Sequence, residues 1–228
     1  MALKKGDFVE IEFTGKITDS GEVFDSNVKS ELEKLHAGHD HEPVEAQPFV
    51  FALGEGMFLK AIDDFLIGKP ETSAEYELDL VPENAFGKRN SQLIQTMPAS
   101  IFRDKNISPV AGAVLDFDGR AGKILAVSGG RIIVDFNHTL AGKPVSYKIK
   151  LIKKITNQDA KVNAVNKFFF GKEPEFKIEG KKLILQLESQ LAPLGQLFKD
   201  KYKEILGLEL EVKESEAEKS AQGDKKSQ

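Results

Sequence analysis

Val9-Glu10-Ile11-Glu12-Phe13-Thr14-Gly15 alternates apolar with polar side chains. That period of two is the signature of a strand with one face in a core. The alternation runs over residues 8–18 and stops at Asp19-Ser20-Gly21-Glu22, a turn-forming cluster. Outward from there, Val23-Phe24 begins a second apolar segment that ends at Asp25-Ser26-Asn27. Residues 30–35 read as a short helix, and residues 48–53 as a strand with Phe49, Phe51 and Leu53 on one face. Over 58–67 the apolar positions 58, 59, 62, 65 and 66 form a helical stripe, closed by Gly68-Lys69-Pro70. Residues 74–81 alternate again, with Tyr76, Leu78 and Leu80 inward, and Pro82-Glu83-Asn84-Ala85-Phe86-Gly87 is a turn.

Beyond residue 87 the character changes. A mixed apolar stretch over 91–107 is followed by two or three short strands, one turning at Ser128-Gly129-Gly130 into Arg131-Ile132-Ile133-Val134. Residues 137–143 read as a loop, and Val145, Tyr147, Ile149 and Leu151 as an alternating strand. After residue 154 the spacing of Val162, Val165 and Phe169 predicts a helix over 159–170. Phe176 and Ile178 then turn through Glu179-Gly180-Lys181 into Leu183, Leu185 and Leu187. Leu194, Phe198, Tyr202 and Ile205 recur at helical spacing, and Leu208, Leu210 and Val212 end on a strand. Residues 214–228 are charged or small and are expected to be a disordered tail. The patterning alone describes an antiparallel β protein with a helix and an appended α+β module.

Composition narrows the function classes. The 32 basic and 36 acidic residues leave a net charge of −4, which supplies no electrostatic drive toward nucleic acid. There is no cysteine, so disulfides and thiolate metal sites are excluded. Lys4 and Lys5 are followed by no apolar leader segment, and no apolar run approaches the roughly 20 residues a bilayer requires. A cytoplasmic protein with no membrane partner is expected.

Four segments in register carry a resemblance: Val9–Gly15; Gly21-Glu22-Val23-Phe24-Asp25-Ser26; Pro48-Phe49-Val50-Phe51-Ala52-Leu53-Gly54 with the helix after it; and Pro82–Gly87. In that order they resemble the FKBP-type prolyl isomerases. The stretch up to Asn137-His138-Thr139-Leu140-Ala141-Gly142-Lys143 is similar to the insert-in-flap domain of the SlyD-like branch, and the part after 154 to the extra domain of long archaeal members. The resemblance implies an α+β protein in which an antiparallel sheet wraps around a short helix. The isomerase domain would be discontinuous (1–87 and 137–153), interrupted by a small β-rich client-binding insert (88–136) and followed by an α+β C-terminal domain (154–213). It also implies X-Pro isomerisation coupled to chaperone action, with no cofactor and with unfolded or proline-containing polypeptides as clients. A homodimer through the C-terminal domain is a further expectation.

Carried over by position, the pocket would be lined by Phe13, Phe24, Asp25, Phe49, Phe58, Leu59, Ile62, Phe86 and Tyr147. Ile62 stands where the family often has tryptophan, and Phe13 and Phe86 stand where tyrosine is usual, so two hydroxyls are absent. Leu93, Ile94, Met97, Ile101 and Phe102 are the candidate client contacts of the insert. Two rival readings remain: a holdase with little catalysis, and a metal-handling protein using the His36, His39 and His41 loop, whose imidazoles suit nickel or zinc.

Overall fold

A computed structural model describes residues 1–35 and 46–214. The His36, His39 and His41 cluster and the tail expected over 214–228, apart from Glu214, lie outside the described residues. The chain divides into two compact units, Met1–Gly15, Val23–Leu78 and Tyr147–Gln228 in the first, and Lys16–Glu22 and Asp79–Ser146 in the second.

The strand read from the opening stretch is β1, Phe8–Ile17, with Phe8, Val9, Ile11 and Phe13 buried. It is a central strand. The five-stranded sheet runs β2-β1-β9-β4, with β3 also on β1; β2 is Val23–Ser26, β3 Phe49–Ala52, β4 Ala74–Leu80 and β9 Val145–Ile155. β3 takes the N-terminal half of β1, pairing Phe8 with Ala52 and Ile11 with Phe49. This leaves the C-terminal half of the same edge for β2. Helix α1 is Lys29–Leu35.

The helix expected over 58–67 is shorter: α2 is Lys60–Leu66, burying Ile62, Asp63 and Leu66. Phe58 and Leu59 precede it in extended or turn backbone. The difference follows from Gly54 and Gly56, both at positive φ, which bring the chain into the helix through a loop.

Asp63 is the price of this arrangement. It is almost completely buried, and its Oδ1 has no hydrogen-bond partner among the described residues. Burial pushes its pKa up to about 6, against the lowering effect of the Gly54 and Gly56 backbone N–H groups. Because the folded-state value lies above the unfolded one, the folded chain holds the proton more tightly. Stability is therefore greatest below the unfolded carboxyl pKa and falls as pH rises through about 6. The cost at neutral pH is up to about 3 kcal/mol. Urea unfolding of the wild type and Asp63→Asn between pH 4.5 and 7.5 is expected to show this decline only in the wild type.

The second unit contains a four-stranded sheet ordered β5-β8-β7-β6: β5 Ile94–Pro98, β6 Val114–Phe117, β7 Arg120–Ser128 and β8 Arg131–Asp135. Helix α3, Ala99–Asp104, covers it and inserts Phe102 into a core of Ile124, Ile132 and Val134. The expected hairpin is present. Gly129 and Gly130 both adopt positive φ, as a two-residue turn between twisted strands demands.

After β9, helix α4 (Gln158–Phe170) begins at an Asn157 cap, whose Oδ1 accepts the Ala160 N–H at 2.8 Å, and stops at left-handed Gly171. β10 (Phe176–Glu179) and β11 (Lys182–Leu187) form the expected hairpin, and β12 (Glu209–Glu214) pairs with β11 in parallel. The single helical stripe of Leu194, Phe198, Tyr202 and Ile205 is two helices, α5 (Ala192–Leu197) and α6 (Lys199–Leu206). The break falls at Phe198, whose N–H is shared between the Leu194 and Gly195 carbonyls. A crossover of two short helices lets β12 return parallel to β11. The Tyr202 hydroxyl donates to Asn166 Oδ1 at 2.6 Å inside this core.

Candidate functional site

β2 is fixed to β1 by side chains as well as backbone. Ser26 Oγ donates to the Phe13 carbonyl at 2.9 Å and shares a 3.0 Å bond with Thr14 Oγ1. Asn27 accepts the Phe13 N–H and donates to the carbonyls of Ile11 and Gln47 at 3.0 and 3.1 Å. Asp25-Ser26-Asn27 is thus more than a strand stop: it clamps the two strands that carry Phe13 and Asp25.

On the face so fixed, the rings converge. Phe58 lies 4.9 Å from Phe13, 5.2 Å from Phe49, 5.5 Å from Phe51 and 6.0 Å from Tyr147, centroid to centroid. Phe24 meets Tyr147 edge-on at 5.7 Å. Edge-to-face and tilted contacts at these distances are the favourable geometries for aromatic pairs. Ile62 is fully buried, while Phe24, Phe49, Phe58 and Leu59 keep partial solvent access. Of the nine expected pocket residues, eight therefore lie in the first unit. Phe86 belongs to the second, where its ring stacks on His138 at 5.0 Å. His138 Nδ1 accepts the Leu140 N–H at 3.2 Å, which gives this histidine a part in holding the loop.

Gly15 is required for the ring packing. A Cβ there would lie 2.7 Å from Phe24 Cζ and 3.0 Å from Tyr147 Cε1, closer than real contacts allow.

Electrostatically the site is sparse. Asp25 reaches solvent, yet the protein around it desolvates the carboxyl and raises its pKa, opposed by the Ser26 backbone N–H. Tyr147 is almost fully buried, and desolvation together with the Asp25 charge raises its pKa, so the hydroxyl stays protonated. Leu59 caps α2, and its backbone N–H has no acceptor among the described residues. The arrangement offers a packed cluster of rings, of which Phe13 and Phe49 open on a cavity, with one carboxylate, one phenol and one backbone donor beside it. No residue here is arranged as an activated nucleophile.

A cavity of about 710 Å³ opens on Phe13, Asp25 and Phe49. Its opposite wall is the Ala160, Asn163, Ala164 and Lys167 face of α4, which the sequence reading did not connect with the site. The signal was present in the i, i+3, i+4, i+7 spacing of these residues. Their partner β3 lies over a hundred positions earlier, beyond the reach of any local pattern.

The expected client contacts of the insert separate into two groups. Phe102 is in the core, and Met97 packs against it. This corrects the expectation for Phe102: a side chain buried among Ile124, Ile132 and Val134 offers no surface to a client. Leu93 and Ile94 are half-buried and Ile101 is exposed. Val110, Val114, Leu125, Val127 and Ile133 are also exposed, and were not singled out from sequence.

Among the described residues, no three His, Cys, Asp or Glu side chains are grouped to hold a metal, and no helix is long and apolar enough to cross a membrane.

Comparison with known proteins places these features. Residues 92–140 match the family model described as the IF domain of FKBP26. A short-type peptidyl-prolyl cis-trans isomerase of Methanocaldococcus jannaschii is 31% identical over 149 residues, covering 65% of this chain and 92% of that protein. An FKBP-type 16 kDa peptidyl-prolyl cis-trans isomerase of Escherichia coli K12 is 32% identical over 112 residues, covering 47% of this chain and 74% of its own length. The FKBP-type isomerase SlyD of Vibrio cholerae is 24% identical over 155 residues, covering 67% and 68%.

Proposed function

Because the chain belongs to the FKBP-type peptidyl-prolyl cis-trans isomerases, we propose that it turns X-Pro bonds in the slot bounded by Phe13, Phe24, Phe49, Phe58 and Tyr147 and draws unfolded clients to it with the insert. The chain is a peptidyl-prolyl cis-trans isomerase. The observation that supports this site is the convergence of the five rings beside a desolvated carboxylate.

The physical task is to lower a rotational barrier of roughly 20 kcal/mol, which comes from amide resonance. In the twisted transition state resonance is lost, the nitrogen becomes pyramidal and the carbonyl oxygen carries less negative charge. Withdrawal from water therefore costs the planar ground state more than the twisted state, and a dry slot favours the latter differentially. The Leu59 N–H holds a client carbonyl outside the rotating bond. Phe13 and Phe49, which line the cavity, accept the proline ring while the fully buried Ile62 backs them from the core, and Asp25 acts on the rotating carbonyl. No nucleophile, metal or cofactor enters the step.

Ile101, Val114, Leu125, Val127 and Ile133 are exposed apolar side chains of the insert, suited to contacts with extended, unfolded chains. Clients are accordingly unfolded, proline-containing polypeptides of the cytoplasm, and chaperone action accompanies isomerisation.

The test is to obstruct the slot without deleting any of its groups. Gly15→Val drives a branched side chain against Phe24 and Tyr147. In a protease-free assay of an X-Pro tetrapeptide, the wild type is expected to accelerate exchange and Gly15→Val to lower kcat/KM about tenfold, the loss expected from a misplacement of the walls by an ångström or less. Unchanged kcat/KM in a folded variant would remove the reaction from this slot.

A further inference from the structure

Helix α4 has two working faces. Val162, Val165 and Asn166 are buried, and Phe169 stacks on Phe198 at 4.2 Å, so one face belongs to the C-terminal core. The other face, Ala160, Asn163, Ala164 and Lys167, lines the cavity that opens on Phe13, Asp25 and Phe49. We propose that this second face is a subsite of the isomerase pocket that binds the extended client backbone next to the X-Pro bond. The inference rests on the isomerase reading above and adds to it the element that reads the flanking chain.

Three observations identify the occupant as polypeptide main chain. The first is continuity: the same cavity holds Asp25 and two of the proposed slot rings, so a chain whose proline enters the slot passes along α4. Its volume, about 710 Å³, lies within the ~300–1,000 Å³ of sites that enclose a ligand much larger than one five-membered ring. The second is steric. Ala160 and the nearly buried Ala164 are one helical turn apart on the cavity wall, and with only a methyl group each they leave that wall hollow enough to suit a residue of an extended strand. The third is chemical. The half-buried Asn163 amide has no hydrogen-bond partner among the described residues, and an amide offers the donor and acceptor that one peptide unit needs. Lys167 Nζ donates to Gln47 Oε1 at 2.9 Å on the cavity wall and pairs with no carboxylate among the described residues, so it is free to donate to a client carbonyl.

The experiment compares two peptides containing the same X-Pro pair, a tetrapeptide and a decapeptide, in the full chain. Wild type is expected to show a higher kcat/KM on the decapeptide. Ala160→Trp, which fills the hollow, is expected to lower kcat/KM about tenfold on the decapeptide and less than twofold on the tetrapeptide. Asn163→Ala leaves the hollow open and removes only the amide; a threefold to fivefold loss confined to the decapeptide, seen mainly in KM, is expected. Retained tetrapeptide turnover shows in the same assay that each variant is folded. Losses equal on both peptides, or absent from both, would overturn the subsite while leaving the isomerase reading intact. Failure of the wild-type chain to turn over the tetrapeptide would overturn that reading and the subsite with it.

Discussion

Replacing residues 88–136 by a short Gly-Ser linker is expected to lower the catalysed refolding rate of a proline-limited protein about 100-fold, while kcat/KM for an X-Pro tetrapeptide changes less than threefold. The gain lost is one of effective concentration. A client held by one site of the chain meets the other at millimolar local concentration, which raises apparent affinity by roughly 10²–10⁴. The cut is structurally clean. At the neck of the insert, Asn90 N–H donates to Asn137 Oδ1 at 2.8 Å, and Asn137 Nδ2 donates back to the Asn90 carbonyl at 2.9 Å. Arg89 grips Asp135 beside them through Nε at 3.0 Å and Nη2. The two crossings are thus adjacent, and a short linker spans them. The excised part carries its own core around Phe102, Ile124, Ile132 and Val134. A truncated chain that loses tetrapeptide turnover as well would assign the catalytic site to the insert. One that refolds protein as fast as the full chain would remove the client surface from it.

The second large effect is at Asp25. Asp25→Ala is expected to reduce kcat/KM on tetrapeptides by about 10- to 100-fold, at and below the lower end of the roughly 10²–10³ lost when one preorganised oxyanion donor is deleted. In the proposed slot the carboxylate meets a carbonyl carbon that becomes more ketone-like and electropositive as the amide twists, so its attraction is greatest in the transition state. The pH profile provides a second readout. Desolvation places the Asp25 pKa above the ordinary carboxyl value. As pH falls through that raised value the side chain is neutralised, and wild-type kcat/KM drops on the acid side at a higher pH than a carboxyl of ordinary pKa would cause. Asp25→Asn is expected to have a flat profile at the reduced rate. An Asn variant that retains full activity would show that the charge is not used.

The elements of this molecule were largely legible because each is announced locally. The alternation at Val9–Gly15, the Gly129-Gly130 hairpin and the spacing of Val162 and Val165 all depend on neighbours within a few residues, and all appear in the structure. Misreadings arose where distant packing or backbone strain decides. Phe58 and Leu59 fit a helical stripe but stand outside α2, because Gly54 and Gly56 impose a loop there. Phe102 read as a client contact because hydrophobicity does not reveal on which side of a six-residue helix the core lies. The candidate pocket rings rest on resemblance, since no periodicity distinguishes a slot-lining phenylalanine from a core one. The wall formed by α4, and the clamp of Ser26 and Asn27, arise only from contacts between distant parts of the folded chain.

The pairing of β1 with β9 sets a timetable for the nascent chain. Glu12 and Lys150, bound side chain to side chain across these strands, are 138 positions apart. At ribosomal speeds of roughly 5–20 residues per second, this separation lasts on the order of ten seconds or more. The strands around Ile124 and Ile132 end at Asp135, 15 positions before Lys150, and so are synthesised about one to three seconds earlier. During vectorial synthesis the insert's sheet can therefore mature first, while the five-stranded sheet waits for its last central strand. Through that interval β1 stands without the strand that covers its other edge, and an unpaired edge is open to pairing with another chain.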